Sequence, residues 1–405
     1  MRLAAVVLAG GESRRFGADK LAADVDGLSL LERAVSELPA EAHLIIVGPT
    51  REIGRQATFA REEPPGTGPA AGLIAGLRAA LSSDTEAIVV LPGDAPAAGR
   101  AAMALLSALR SSSAWAVHAV DSSGRAQPLQ LALRPAAAEA LVRAAGEAGG
   151  AGQSARRLVD RLSPPPQRAP VSVEGHFDID TADQLLSWQL RDSPAVRAVL
   201  DVLVARRATS SIPGHSTRLG RPYVIAIDGP SGAGKSTLAA ALTLRAPATV
   251  IDGDDFYSAH LPGLDQPARE AMSNAQAAAS IIDWRRLRAE ALLPLSQRRA
   301  ACYAPFDWEA YDGSLGPPKK VGAADVVIVE GVYSAHPELA DVVDLRVILE
   351  VPADVRSRRL ADRPDPEDLA HFWDRAEQHY FANVCPPDSF DLRLSAGQLG
   401  NDEHA

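Results

Sequence analysis

Tyr223-Val-Ile-Ala-Ile-Asp-Gly-Pro-Ser-Gly-Ala-Gly-Lys-Ser-Thr237 begins as an apolar run, breaks into glycine, and passes into the helical pattern Leu238–Leu244. Strand, glycine loop and helix in that order are the context in which GxxxxGK[ST] acts as a phosphate cradle. Gly229, Gly232 and Gly234 permit backbone conformations that a side chain would obstruct. The N–H groups from Ser231 through Ala233 to Thr237 can then converge on phosphate oxygens, and the helix adds its positive N-terminal end. In this pattern Lys235 reaches the β- and γ-phosphates and Ser236 holds Mg²⁺.

Outward from this loop the same alternation continues. Short Val/Ile/Leu runs are expected as strands at Leu3–Ala9, His43–Val47, Ala87–Leu91, Ala114–Ala119, Tyr223–Asp228, Thr249–Asp252, Asp325–Glu330 and Leu345–Val351, separated by Ala/Leu/Arg-rich helical stretches. Runs that are apolar on both faces belong to parallel strands covered by crossover helices, so the fold class is α/β. The chain has 405 residues, whereas single cores stop growing at roughly 250 to 300 residues. Two doubly wound domains are therefore expected. The divisions are 1–190, a linker and lead-in helix at 191–221, a second domain at 222–395, and a flexible tail at 396–405.

A net charge of −10 excludes a general nucleic-acid binder, whose footprint is basic. Cys302 and Cys385 are too few and too far apart for a disulfide framework or a zinc site. No stretch reaches the ~18 to 20 apolar residues that span a bilayer. The expectation is a soluble, cytoplasmic protein that engages neither membrane nor nucleic acid.

Beyond the loop at Gly229–Thr237, carboxylates gather at strand ends: Asp252, Asp254 and Asp255 after one run, Glu330 after another. Open α/β sheets bind ligands there. Arg356, Arg358, Arg359 and Arg363 follow, on a helix and turn that can close over phosphates or form a solvated face. The segments Ile227–Thr237, Asp254-Asp-Phe-Tyr257, Tyr303-Ala-Pro-Phe-Asp-Trp308, Val329-Glu-Gly-Val332, His371-Phe-Trp373 and Glu377-Gln-His-Tyr-Phe381 resemble the uridine kinase-like branch of P-loop kinases over nearly all of residues 195–395. The resemblance implies ATP as phosphoryl donor, Asp254 as the base for the acceptor hydroxyl with Asp255 as the other candidate, Lys235 and Arg359 as catalytic cations, and Ser236 and Glu330 as Mg²⁺ ligands. Tyr257, Tyr303 and Trp308 are read as core aromatics or as a nucleoside clamp. An Ala-rich stretch from Leu261 to Ile282 departs from the nucleoside-kinase pattern, leaving a sugar, a nucleoside or a small alcohol as the acceptor.

The first domain carries a different glycine loop, Val6-Val-Leu-Ala-Gly-Gly-Glu-Ser-Arg-Arg-Phe-Gly-Ala-Asp-Lys20. Glycine backbone at Gly10 and Gly11 permits close approach to a triphosphate, and Arg15 and Lys20 offset its charge. A second loop at Glu62–Gly72, including Gly68, precedes a helix. Asp94 closes Leu91-Pro-Gly-Asp and suits a hard cation, and Asp180 is either a second carboxylate or a helix N-cap. These motifs, with Gln127-Pro128 and Asp178-Ile-Asp-Thr-Ala-Asp183, resemble the molybdenum cofactor guanylyltransferase family across residues 1–190. The resemblance implies a nucleotidyltransferase that binds nucleotide through Leu8, Ala9, Gly10, Gly11, Gly68, Lys20 and Asp94, holds Mg²⁺ through Asp94 and Asp180, and acts through Arg15 and Lys20. Gly10-Gly11 favours GTP over CTP.

The whole chain thus reads as a bifunctional transferase of nucleoside triphosphates and small-molecule acceptors, one of them molybdopterin, with contacts to molybdenum cofactor enzymes implied by the family. The other reading makes the P-loop half a GTP-binding adaptor for a nucleotidyltransferase that uses CTP or a sugar-phosphate acceptor.

Overall fold

The computed structural model describes residues 2–11, 16–82, 84–121, 124–210, 221–361 and 367–399. The chain divides into two compact units, Met1–Gln189 and Leu190–Ala405.

The first unit is built on a seven-stranded sheet of β1 (Leu3–Leu8), β2 (His43–Val47), β3 (Thr58–Ala60), β4 (Ala87–Pro92), β5 (Ala116–Val120), β6 (Ala126–Leu133) and β7 (Gln167–Pro170). Their order is β3-β2-β1-β4-β6-β5-β7. Alternate residues of β1 serve opposite faces. Ala4 and Val6 join Leu73, Ile74 and Leu77 of helix Pro69–Ala80 in one core, while helix Ala98–Arg110 packs on β4, β5 and β6. The sheet is mixed where parallel strands were expected: β6 runs antiparallel to both β4 and β5. The sequence hid β6 because Pro128 interrupts it. The structure accommodates that proline beside a register shift at His118/Ala119, the kind of irregularity where a strand tolerates a residue that cannot donate.

The second unit has an all-parallel sheet of β8 (Tyr223–Asp228), β9 (Ala248–Asp252), β10 (Val326–Glu330), β11 (Leu345–Glu350) and β12 (Leu392–Ser395), ordered β9-β10-β8-β11-β12. Helix Pro194–Ser210 stands where a lead-in helix was expected and is part of this unit: Ala195, Val196, Val199 and Leu203 are buried, and it packs on helix Lys235–Arg245. The expected tail starts later than residue 396, since β12 is an edge strand with Leu394 buried and Leu399 in the turn beyond it is 2% exposed. At this end of the chain two apolar anchors suffice to dock a short polar-looking segment.

Candidate functional site

In the first unit, strand register sets the site. Leu8 pairs with Pro92, so Ala9-Gly10 and Gly93-Asp94 leave the sheet side by side. Gly93 N–H donates to the Leu8 carbonyl at 2.9 Å and Ala9 N–H to that of Val47 at 2.8 Å. At Gly48, φ is +152° and a Cβ would lie 2.6 Å from the Ala9 carbonyl oxygen. Only glycine fits this close approach, which lets the first glycine loop lie against the end of β2.

Lys20 follows Asp19, whose carboxylate caps the Lys20–Ala22 turn and pairs with Arg51. The Lys20 side chain is buried, and its Nζ donates to Asp94 Oδ2 at 2.7 Å and to Asp180 Oδ1 at 2.6 Å. Burial opposes its charge, but the hydrogen bonds to Asp180 and Asp94 prevail and raise its pKa. Asp180 is brought across by Ile179 N–H donating to the Asp94 carbonyl at 2.9 Å. It is not the helix cap: Thr181 and Gln184 form the reciprocal cap of helix Ala182–Leu190. Partial enclosure by the surrounding protein, then the charges of Asp94 and Asp180, hold Asp178 above the ordinary carboxylate range, although it keeps an exposed edge. Asp94 and Asp180 thus grip one lysine with Asp178 within electrostatic reach, an excess of hard oxygen donors of the kind that fits Mg²⁺ shared with phosphates.

In the second unit the loop after β8 lies at the carboxyl edge where the sheet order reverses. Gly229, at φ +141°, would carry a Cβ 2.7 Å from the Leu349 carbonyl oxygen, so the loop's first turn demands glycine. Lys235 Nζ donates to the carbonyls of Gly229 and Pro230 at 2.9 and 3.0 Å. Arg359 donates to the Gly232 carbonyl at 3.0 Å and Arg356 to that of Ser231 at 3.3 Å. The Arg356 Nε is buried and has no hydrogen-bond partner among the described residues. Arg358 points elsewhere, pairing with Asp354 along its own exposed helix.

Register also places the carboxylates. Glu330 lies opposite both Asp252 and Ile227. It is 6% exposed and accepts a hydrogen bond from Ser236. Burial, then the charges of Asp252 and Asp254, push its carboxyl up to about 7. A hydroxyl and a carboxylate beside a phosphate loop form an oxygen donor set of the kind Mg²⁺ takes when phosphates complete its shell. Among the described residues, no group of three or more His, Cys, Asp or Glu side chains converges on a common metal position. In both units, therefore, a bound metal would draw part of its coordination from the substrate.

The two candidate bases separate cleanly. Asp255 is buried and accepts from Tyr303 Oη at 3.0 Å and from Lys319 Nζ at 2.8 and 2.9 Å. Asp254 is exposed, and its carbonyl accepts from Trp308 Nε1 at 3.3 Å. Above it lies an aromatic box. Tyr257 stands 4.8 Å from Trp308 and 5.0 Å from Phe306 between ring centroids, and the Trp373 indole N–H donates to Tyr257 Oη at 3.1 Å. Trp308 remains 43% exposed.

Residues 5–165 match the family of the MobA-like NTP transferase domain, and residues 224–365 match the Phosphoribulokinase / Uridine kinase family. Molybdenum cofactor guanylyltransferase of Cereibacter sphaeroides is 33% identical over 194 residues, covering 46% of this chain and 98% of that protein. Through its first unit the chain belongs to the molybdenum cofactor guanylyltransferase family. Its second unit is phosphoribulokinase/uridine kinase-like. Uridine kinase-like protein 3 of Arabidopsis thaliana is 26% identical over 161 residues, 36% of this chain, which spans only about a third (32%) of that relative's length. A solved molybdopterin-guanine dinucleotide biosynthesis protein A from Archaeoglobus fulgidus aligns at 22% identity with 47% of this chain and 97% of its own, at a TM-score of 0.37.

Within the guanylyltransferase unit the structure brings Leu8, Ala9, Gly10, Lys20, Asp94 and Asp180 to one edge. Gly68, at φ +107°, caps helix Pro69–Ala80. Arg15 lies outside the described residues, as does Arg363 in the kinase-like unit. Sequence reading missed Asp178 as a member of the first cluster and gave no role to Glu377. Glu377 accepts from the Ser231 N–H and Oγ at 3.0 and 2.9 Å. Their signal was present in the quoted motifs, but only a contact across 146 positions reveals what Glu377 touches.

Proposed function

We propose that the chain is a bifunctional transferase. The guanylyltransferase unit transfers GMP from GTP to molybdopterin, and the kinase-like unit uses ATP to phosphorylate the hydroxyl of a small, ring-bearing, nucleoside-like acceptor. One observation carries the reading: in each unit a lysine and metal-type carboxylates meet at the carboxyl edge of the sheet, beside a glycine loop.

In the first unit an acceptor phosphate oxygen attacks the α-phosphorus of GTP, and pyrophosphate leaves. The attacking oxygen is already anionic, so the chain's task is to offset charge, and Lys20 is placed for it. In the second unit the acceptor hydroxyl attacks the γ-phosphorus, its proton passes to Asp254, and ADP leaves. Lys235 and the loop N–H groups hold the phosphates while the aromatic box orients the acceptor ring. Mg²⁺, held by Asp94 and Asp180 in one unit and by Ser236 and Glu330 in the other, would neutralise phosphate charge in both. Delivery of the product to molybdenum cofactor enzymes belongs to the same reading.

The test incubates the full chain with Mg²⁺, GTP and molybdopterin, then with Mg²⁺, ATP and a nucleoside and sugar panel, and identifies products by mass. Lys235→Ala is expected to abolish phosphoryl transfer and leave pyrophosphate release intact. Loss of both activities in a folded variant contradicts independent sites. Nucleotide binding by the second unit without any phosphorylated product favours the adaptor reading.

A further inference from the structure

Helix Glu367–His379 and the π-helical turn Tyr380–Val384 that continues it hold the phosphate loop at two points. Tyr380 Oη donates to Asp228 Oδ2 at 2.8 Å, and Asp228, fully buried, accepts the Gly229 N–H at 2.7 Å. Three residues earlier, Glu377 takes the N–H and hydroxyl of Ser231. Residues three apart share a helix face, so the pair grips the loop from its root to its third residue.

Glu377 is 8% exposed, and a carboxylate so buried requires a charge partner. Arg356 supplies it at 3.6 Å, and the same Nη1 donates to the Ser231 carbonyl. The helix reaches the other half of the cleft as well. Trp373 belongs to the aromatic box, and Arg375 donates to the Met272 carbonyl at 2.7 Å, tying down the Ala-rich segment beside it.

We propose that Glu377 is a positioning residue for nucleotide binding, presetting the phosphate loop through Ser231 and stationing Arg356 beside it. The inference rests on the reading of this loop as a triphosphate site. Glu377 touches no reacting atom. The opposite role, an internal anion that competes with phosphate, would require Glu377 to retreat. Its helix is pinned three residues later to a buried aspartate, and retreat would break that contact.

The experiment measures MgATP and MgGTP binding to the full-length chain by calorimetry, with KM and kcat where turnover is found, for wild type, Glu377→Ala, Glu377→Gln and Tyr380→Phe. Glu377→Ala is expected to weaken nucleotide affinity about tenfold, the scale of one charge-assisted hydrogen bond. Glu377→Gln, whose amide oxygen still accepts from Ser231, recovers most of the loss, and KM moves more than kcat. Tyr380→Phe shifts affinity in the same direction. Tighter binding in Glu377→Ala overturns the proposal in favour of the competing anion, and unchanged affinity in all variants overturns it outright. If Glu377→Ala does not fold, unchanged affinity in both Glu377→Gln and Tyr380→Phe has the same force. A folded wild-type chain that binds no MgATP, and whose MgGTP binding is untouched by Lys235→Ala, sinks the triphosphate reading of this loop itself, a result distinct from the others.

Discussion

Asp255 is buried and held by Lys319 and Tyr303, while its neighbour Asp254 is exposed beside Trp308 of the aromatic box. Replacing each by asparagine should therefore give different failures. Asp254→Asn should lower turnover by about 10²–10⁴-fold, the usual weight of a general base, with MgATP affinity nearly retained. Asp255→Asn should cost about 1–3 kcal/mol of stability by leaving buried polar partners mismatched, with a smaller effect on turnover. Initial rates and thermal melts on the two variants decide the assignment, and equal losses of turnover would remove Asp254 from the role. Spacing alone could not rank these adjacent residues. What ranks them is the Lys319 ammonium, 64 positions away. Lys20 was legible as a candidate cation after the first glycine loop. Its grip on Asp94 and Asp180 was not, since it joins residues up to 160 positions apart.

At the scale of elements, legibility followed burial. All eight apolar runs read from the sequence are strands. Seven are covered by neighbours, where residues buried on both faces leave an unbroken hydrophobic signature. The edge strand at Thr249–Asp252 was legible by its Val250-Ile251 run although Val250 is exposed. Thr58–Ala60, Gln167–Pro170 and Leu392–Ser395 escaped notice because edge strands are short and half polar. One central element carries a cost that its apolar pattern conceals. His118 of β5 is 6% exposed, and its Nε2 is buried without a hydrogen-bond partner among the described residues. Burial, with the Arg168 and Arg156 charges against a smaller opposing effect from Asp160, lowers its pKa below the ordinary 6.5. The folded state therefore resists protonation that the unfolded chain accepts. This contribution is intact above about pH 6.5 and is lost as pH falls through the window beneath it. His118→Leu should remove that part of the acid sensitivity. Melting curves at about pH 7.5 and about pH 5.5 should show a smaller acid-induced drop in the variant than in the wild type. Equal drops would place the acid sensitivity elsewhere.

For the whole molecule, two different glycine loops leave two different sheets, one mixed and seven-stranded, the other five-stranded and all parallel. The first loop lies between β1 and a lysine held by carboxylates that arrive from far along the chain. The second is a compact turn braced by a C-terminal helix of its own unit. Each unit closes its own core: Leu73, Ile74 and Leu77 pack against β1 in one, and Phe256, Phe372 and Tyr380 share a core cluster with Val327 and Val329 of β10 in the other. Cores that are separately closed should melt separately. Calorimetry of the full chain is expected to give two transitions, each raised by one ligand. A ligand at a hundred times its Kd adds about 2.7 kcal/mol to the state it binds. MgGTP should move the transition of the guanylyltransferase unit, and MgATP that of the kinase-like unit. Lys235→Ala should erase only the second shift, since Lys235 lies in the second loop alone. If one transition instead responds to both nucleotides, the units share a cooperative core, and a substitution in one loop must then be read for its effect on the other reaction.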